Sequence, residues 1–317
     1  MKSKVVIVGT GLVGMSYAYA LLNQGVVEEV ALIDIDHNRA LGEAMDLNHG
    51  LAFAPRNMNI RAGDYSECAD ASLVVITAGV NQKPTESRLD LLERNANIMR
   101  SITGNIMGSG FEGILLIASN PVDIMTQVVY EAAGLPKEKV IGSGTSLDTA
   151  RLRYEIGHQI KIDVRNVHAY ILGEHGDSEF VVWSNAYVGA KPIKDVINSM
   201  EAINFDDLDS IADRVKNAAG NIIGKKGATY YGIGMSLVRI TAAIMNNENR
   251  ILPLSVLNQG EYDCDHVYIG LPAVVNKDGV HHIVELSLND TETQSLQHSA
   301  GILKSYADQL GQSSSDS

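Results

Sequence analysis

The chain is poor in cysteine, in positive charge and in long apolar stretches, and each shortage removes a class of protein. Only Cys68 and Cys264 occur in 317 residues. They stand far apart with no Cys-x-x-Cys spacing. Neither a disulfide framework nor a cysteine zinc site is available, so a reducing, cytoplasmic home is expected and no metal is assigned. Lysine and arginine number 25 against 38 aspartates and glutamates, a formal net charge of −13. Such a surface repels nucleic acid and anionic membrane and otherwise reads as a soluble exterior. A local basic pocket is still required if the ligand is an anion. No apolar run approaches the length of a membrane span. Met1-Lys2-Ser3-Lys4 ahead of an apolar run and Ala18-Tyr19-Ala20 imitates a secretion signal. Gly9, Gly11 and Gly14 interrupt that run, so it is read as the first strand and helix of the fold. Internal repeats and long low-complexity segments are missing too.

What is present is an alternation of short buried strands with helices. Lys4–Gly9 is a β-branched run ending in glycine, followed by a helix from about Leu12 to Asn23 that Gly25 is placed to end. Val30–Ile33, Leu73–Thr77 and Ile114–Ile117 repeat the buried-strand signature. This order predicts an α/β protein: a Rossmann-type doubly wound parallel sheet over residues 1–144. After about residue 145 the texture changes to shorter strands, around Asn166–Ile171 and Val267–Val275, among longer helices. That part is read as an α+β substrate domain over 145–310, with 311–317 as a disordered tail. Leu208, Ile211, Ala212, Val215, Ala219 and Ile222 recur at helical spacing and predict one buried face. Asn289 with Glu292 forms a capping-box pattern before the last helix.

Three constellations carry chemistry. Gly9-Thr10-Gly11-Leu12-Val13-Gly14 satisfies G-x-G-x-x-G after a strand and at the start of a helix. The first glycine makes the turn, the second lets backbone approach a pyrophosphate, and the third allows close packing of helix on strand. Asp34, at the end of the second strand, stands where a ribose hydroxyl pair is bound and would repel a 2′-phosphate. NAD rather than NADP is therefore expected. The second constellation is the stretch from Ala78 to Arg88, a polar loop ending in an arginine that could close over a substrate. The third joins Asp148 and Arg151, on one face of a helix, to His175 in Gly173-Glu174-His175-Gly176-Asp177-Ser178. Histidine titrates closest to neutrality and can both give and take a proton. Each residue also has an ordinary alternative: Arg88 as a solvated loop charge, Arg151 paired with Glu155, Asp148 as a helix cap, His175 as a structural histidine. Loss of chemistry, leaving an NAD-binding regulatory protein, would show as erosion of His175, Arg88 or Arg151, and all three are present. His281-His282 is read as a solvated turn.

The segments AGVNQKP, RLDLLERN, ASNPVDI, GSGTSLDTARLR, GEHGDSE and KKGATYYG, over about residues 4 to 310, closely resemble the bacterial L-lactate dehydrogenases of the lactate and malate dehydrogenase superfamily. The resemblance implies a fermentative oxidoreductase of glycolysis that reversibly reduces pyruvate to (S)-lactate with NADH. His175 is then the proton donor and acceptor, oriented by Asp148, and Arg88 polarises the substrate carbonyl. Arg151 grips the substrate carboxylate, and Gln82, Asn120, Asp123 and Thr229 are further substrate contacts. Cofactor contacts are implied at Gly9, Gly11, Val13, Gly14, Asp34, Arg39, Tyr65, Gly79, Val80, Ser101, Ala118, Asn120, Thr145 and Ile233. Gln82 replaces the arginine of malate dehydrogenases, so a monoacid is favoured over malate; a malate or branched 2-hydroxyacid dehydrogenase is the nearest alternative. Thr85 departs from the family's loop glycine. Arg153 and His168 match positions that bind fructose 1,6-bisphosphate in many members, so an allosteric homotetramer is expected.

Overall fold

The computed structural model describes residues 3–80, 88–199 and 206–315. Its first strands are β1 (Lys4–Val8), β2 (Glu29–Ile33), β3 (Asn59–Ala62), β4 (Leu73–Ile76), β5 (Ile114–Ile117) and β6 (Val140–Gly142). Between them run α1 (Leu12–Gln24), α2 (His37–His49), α3 (Arg88–Gly108) and α4 (Val122–Ala133). The six strands are parallel and ordered β6-β5-β4-β1-β2-β3. That is the doubly wound order, whose direction reverses between β1 and β4, where such sheets bind ligands at their carboxyl ends. β1, β4 and β5 are buried along their whole length, as strands covered by helices on both faces must be. Lys4 is tolerated inside β1 because Glu67 lies 2.8 Å from its Nζ and Asp70 also accepts from it.

The second half begins with α5 (Ser146–Ile160), β7 (Val167–His168), β8 (Ile171–Leu172), β9 (Phe180–Val181), β10 (Tyr187–Val188), β11 (Lys191–Pro192) and α6 (Ile193–Asn198). It continues with α7 (Asp206–Lys226), α8 (Tyr231–Met245), β12 (Arg250–Gln259), β13 (Asp265–Asn276), β14 (Gly279–Ile283) and α9 (Asp290–Ser315). The last three strands do not build a separate sheet. β12 meets β6 antiparallel at Ser255 opposite Gly142, and β13 and β14 follow, giving one sheet of nine strands. A Cβ on Gly144, just beyond β6, would lie 2.3 Å from the Ser255 amide, so only glycine fits where the two strands converge. α5, β7, α6 and α7 share a smaller core around Leu152, Ile156, Ile193 and Val215.

Three expectations change. His281-His282 is exposed as expected but lies within β14, His282 paired with Val274, and not in a turn. The α7 stripe is buried at Leu208, Ile211 and Val215, but Ile222 is 38 % exposed, because α7 runs on past that smaller core. α9 continues through Ser315, five residues into the tail expected to be disordered; adding a turn to a packed helix costs little once it is nucleated.

The capping box at the start of α9 forms as expected: Glu292 N–H donates to Asn289 Oδ1 and Asn289 N–H to Glu292 Oε2, each at 3.0 Å. Glu292 also accepts from the Ser184 amide and hydroxyl. Asn289→Ala removes one exposed cap and is expected to cost about 1 kcal/mol. A lowered urea midpoint with unchanged slope checks this.

Candidate active site

The turn after β1 carries the glycine motif. Gly9 sits at φ +106°, and a Cβ there would meet the Ala78 backbone at 2.7 Å. A Cβ on Gly14 would lie 2.0 Å from the Gly9 carbonyl, which explains the third glycine as a packing contact. Gly11 differs: nothing lies within 4 Å of its missing Cβ. It caps α1 without a side-chain hydrogen bond, and the first turn of α1 holds no acid. The positive end of α1 is thus left open toward a space fit for a phosphate. Asp34, at the end of β2, accepts from Thr10 N–H at 2.7 Å and Thr10 Oγ1 at 2.8 Å, tying the glycine turn to the next strand. Burial works against its charge, but these donors, the Asp36 N–H and the nearby Arg39 hold its carboxyl below the usual range. An ionised acid there suits a ribose diol, so the residues present fit NAD.

Around this turn lie most of the other expected cofactor residues. Val13 is half-buried on α1, and half-buried Tyr65 lies close enough to Asp34 to feel its charge. Ala118 follows β5, its N–H on the Ile76 carbonyl. Gly79 and Val80 are pinned by Asn95 of α3, whose Oδ1 accepts from Val80 N–H at 3.0 Å. Ile233, on α8, is half-buried where that helix crosses α1, with Gly234 against Ser16. Arg39 and Ser101 are exposed. The Thr145 hydroxyl is buried and donates to the Ile171 carbonyl at 2.6 Å.

The loop that carries His175 joins β8 to β9. Gly173 bridges to Gly270 of β13 through paired backbone hydrogen bonds, and Glu174 N–H donates to Ser299 Oγ at 2.6 Å. His175 N–H donates to Asp123 Oδ2 at 2.8 Å, and Ser255 Oγ donates to Asp123 Oδ1 at 2.5 Å. Three elements thus hold the histidine's backbone. Asp123 therefore supports His175 from behind; burial pushes its carboxyl up to about 6, against the pull of Ser255 and His175.

His175 Nδ1 lies 2.5 Å from Asp148 Oδ2, and Arg151 Nη1 donates to Asp148 Oδ1 at 2.7 Å. Asp148 is buried in the first turn of α5, with no capping role. Arg151 does not pair with Glu155, which accepts from Arg214 at 2.8 Å instead. Burial disfavours the imidazolium, but the charge and hydrogen bond of Asp148, with Asp123 beyond, raise His175 to about 9. Burial likewise opposes charge on Asp148, yet His175 and Arg151 hold it below its ordinary value. With Nδ1 engaged, Nε2 is left to exchange a proton with a ligand.

His175 lines a cleft of about 420 Å³ together with Val80, Asn95, Asn120, Pro121 and Tyr306. One space therefore touches both the loop beyond β4 and the acid–base pair. Thr229 is half-buried between α7 and α8, whose Gly232 packs on Leu147 beside Asp148. Gln82 and Thr85 lie outside the described residues, and Arg88 is described only as the first residue of α3. Arg153 and His168 stand apart from this cleft. Arg153 donates through Nε to the Ala169 carbonyl at 3.1 Å and lies over Tyr170, while His168 is exposed on β7.

Sequence reasoning missed Asn95, Ser255 and Glu179. Asn95 could have been found as an amide seven residues into a helix that otherwise buries apolar groups. Glu179 comes back beside His175 because β8 and β9 pair and fold the loop between them. Asp148, His175 and Glu179 each present an atom within 4.8 Å of the others. With the Arg151 guanidinium on Asp148, the group is an acid–base cluster and not a cation site.

Comparison with known proteins agrees with this architecture. Residues 3–142 match the family model for the lactate/malate dehydrogenase NAD binding domain, and residues 145–312 that for the alpha/beta C-terminal domain. An L-lactate dehydrogenase of Geobacillus sp. (strain WCH70) is 53% identical over 302 residues, 95% of each chain. L-lactate dehydrogenase 2 of Enterococcus faecalis is 54% identical over 301 residues, again 95% of each. Among solved structures, a lactate dehydrogenase from a Medee basin deep-sea metagenome library superposes with a TM-score of 0.97 at 68% identity. That match covers 98% of this chain and 99% of the other. The minor L-lactate dehydrogenase of Enterococcus mundtii in its ligands-bound form gives 0.95 at 50% identity, covering 97% and 98%.

Proposed function

The chain belongs to the lactate/malate dehydrogenase family, and from that premise we propose that it is an L-lactate dehydrogenase, reducing pyruvate to (S)-lactate. The observation that carries this reading is the His175–Asp148–Arg151 cluster beside a cleft shared with the loop after β4. NADH, when bound, supplies the hydride. His175 gives its Nε2 proton to the oxygen on substrate C2, while Asp148 keeps Nδ1 protonated and oriented. Arg151 has one face on Asp148 and offers the other to a carboxylate, which its planar fork can bind through two hydrogen bonds. Arg88 polarises the carbonyl as charge builds on its oxygen. The reverse reaction returns the proton to neutral His175.

The neutral amide of Gln82 suits a methyl group in the substrate, whereas a second carboxylate buried there would lack a partner. Arg153 and His168 support a second site: with fructose 1,6-bisphosphate bound, they clamp a phosphate at a two-fold subunit interface. Exposed Leu41 and Met45 on α2, with Tyr231 and Met235 on α8, supply apolar surface for contact between copies in a homotetramer. Two separate, buried cysteines suit a reducing cytoplasm.

The test is NADH oxidation with pyruvate, oxaloacetate and 2-ketoisocaproate, each with and without fructose 1,6-bisphosphate. Pyruvate is expected to give the highest kcat/KM; a preference for oxaloacetate overturns the substrate assignment. Cofactor choice is read separately. Asp34→Ser is expected to narrow the NAD over NADP preference by about tenfold, roughly 1.4 kcal/mol. An unchanged ratio of Michaelis constants removes Asp34 from that role.

A further inference from the structure

Three acids crowd the proton-transfer group, more than its cations can neutralise. Charged groups facing Glu179 are Asp148 and Arg151 from α5 and His175 from its own loop. Behind them stand Asp123 from α4 and Glu174 from the loop, and Lys216 of α7 donates to the Asp177 carbonyl. α9 contributes Ser299, which is neutral. Around His175 itself, Asp123 and Asp148 are balanced by Arg151 and an imidazolium. An ionised Glu179 would then be a surplus negative charge, within 4.8 Å of both Asp148 and His175.

We propose that Glu179 is a positioning residue of the reaction: it stands as a neutral acid, donates its proton to Asp148, and keeps the site free of a negative charge that would repel the substrate carboxylate. Two close carboxyl groups in a dry pocket cannot both ionise cheaply, so one retains the proton. Asp148 is the anion of the pair because His175 and Arg151 already donate to it. Glu179 lies within 4.8 Å of that anion, and burial together with the neighbouring charge pushes it up to about 8. The substrate-ready state therefore holds two titrating protons, one on His175 and one on Glu179, which leave as a coupled pair.

This inference rests on His175 being the proton donor. It predicts that kcat/KM for pyruvate falls at alkaline pH with the loss of two protons in the parent enzyme. In Glu179→Gln the amide keeps a donor for Asp148 but has no proton to lose. Its alkaline limb, normalised to its own acidic plateau, is expected to be one-proton in slope and displaced to higher pH. A limb displaced to lower pH means that Glu179 is an anion sustaining the imidazolium; a superimposable limb means that it does not act. Either result overturns the proposal. The slope in the parent is a second measurement that needs no variant, and a one-proton limb there overturns it too. His175→Gln run alongside separates the two readings, since retained turnover there defeats the proton-donor role itself.

Discussion

His175→Gln is expected to slow pyruvate reduction by about 10³-fold while NADH still binds, as general acid catalysis of this kind contributes 10²–10⁴. Glutamine can still donate to Asp148, so the loop geometry survives and the deficit falls on kcat. The pH dependence follows in sign from the cluster. Burial disfavours the imidazolium, but Asp148 more than offsets this and raises the pKa to about 9. With His175 as the proposed donor, reduction needs the protonated form and is expected to persist through neutral pH and to be lost as pH rises through that region. Lactate oxidation needs the neutral form and grows over the same range. Asp148→Asn removes the largest influence raising His175, and its reduction limb is expected to move toward lower pH. Stopped-flow turnover and NADH fluorescence titration measure the two quantities. Turnover within tenfold of the parent in His175→Gln would defeat the assignment.

Much of this site was legible in the chain because the chemistry lies in short segments. The glycine motif names its own turn, and Asp148 with Arg151 are three residues apart on one helix, so their pairing is local. Their meeting with His175 is not local: it depends on β8 reaching Gly270 of β13 and on Asp123 holding the His175 amide. A residue-type pattern can nominate those partners without showing that they converge. Glu179 illustrates the loss most clearly. In sequence it is one more acid after a histidine, and only the β8–β9 pairing gives it a neighbour of like charge.

The fold divides along a similar line. β1, β2, β4 and β5 are dense β-branched runs and were readable to within a residue or so. β3 (NIRA) and β6 (VIG) were not, being too short to show a period. β12 (RILPLSVLNQ) carries Pro253 and polar residues that argue against a central strand. It nevertheless lies between β6 and β13, because β13, apolar and buried from Val267 to Val275, pairs with it over most of its length. Tertiary pairing overrides a weak local signal there. The exposed end of α7 is a related case: its spacing reads as a buried face, but nothing in spacing tells where the neighbouring core stops.

Arg151→Lys is the second substitution with a large expected effect, and it separates charge from shape. Lysine keeps the positive charge yet cannot hold Asp148 and a substrate carboxylate at once, whereas the guanidinium presents donors along two edges. Arg151 already spends Nη1 on Asp148 and is only 15 % exposed, so its remaining edge is fixed in direction before substrate arrives. Losing one charge-assisted hydrogen bond and that preorganisation is expected to cost roughly 3 kcal/mol, about 10²-fold in kcat/KM. In the proposed role Arg151 holds the carboxylate in both ground and transition states, so the loss is expected mainly in KM, the opposite signature to His175→Gln. Arg151→Ala with added guanidinium offers a complementary reading: partial recovery of kcat/KM points to the missing fork, not to a damaged fold. A KM for pyruvate within twofold of the parent in Arg151→Lys would leave Arg151 only its contact with Asp148, and the substrate carboxylate would need another cation.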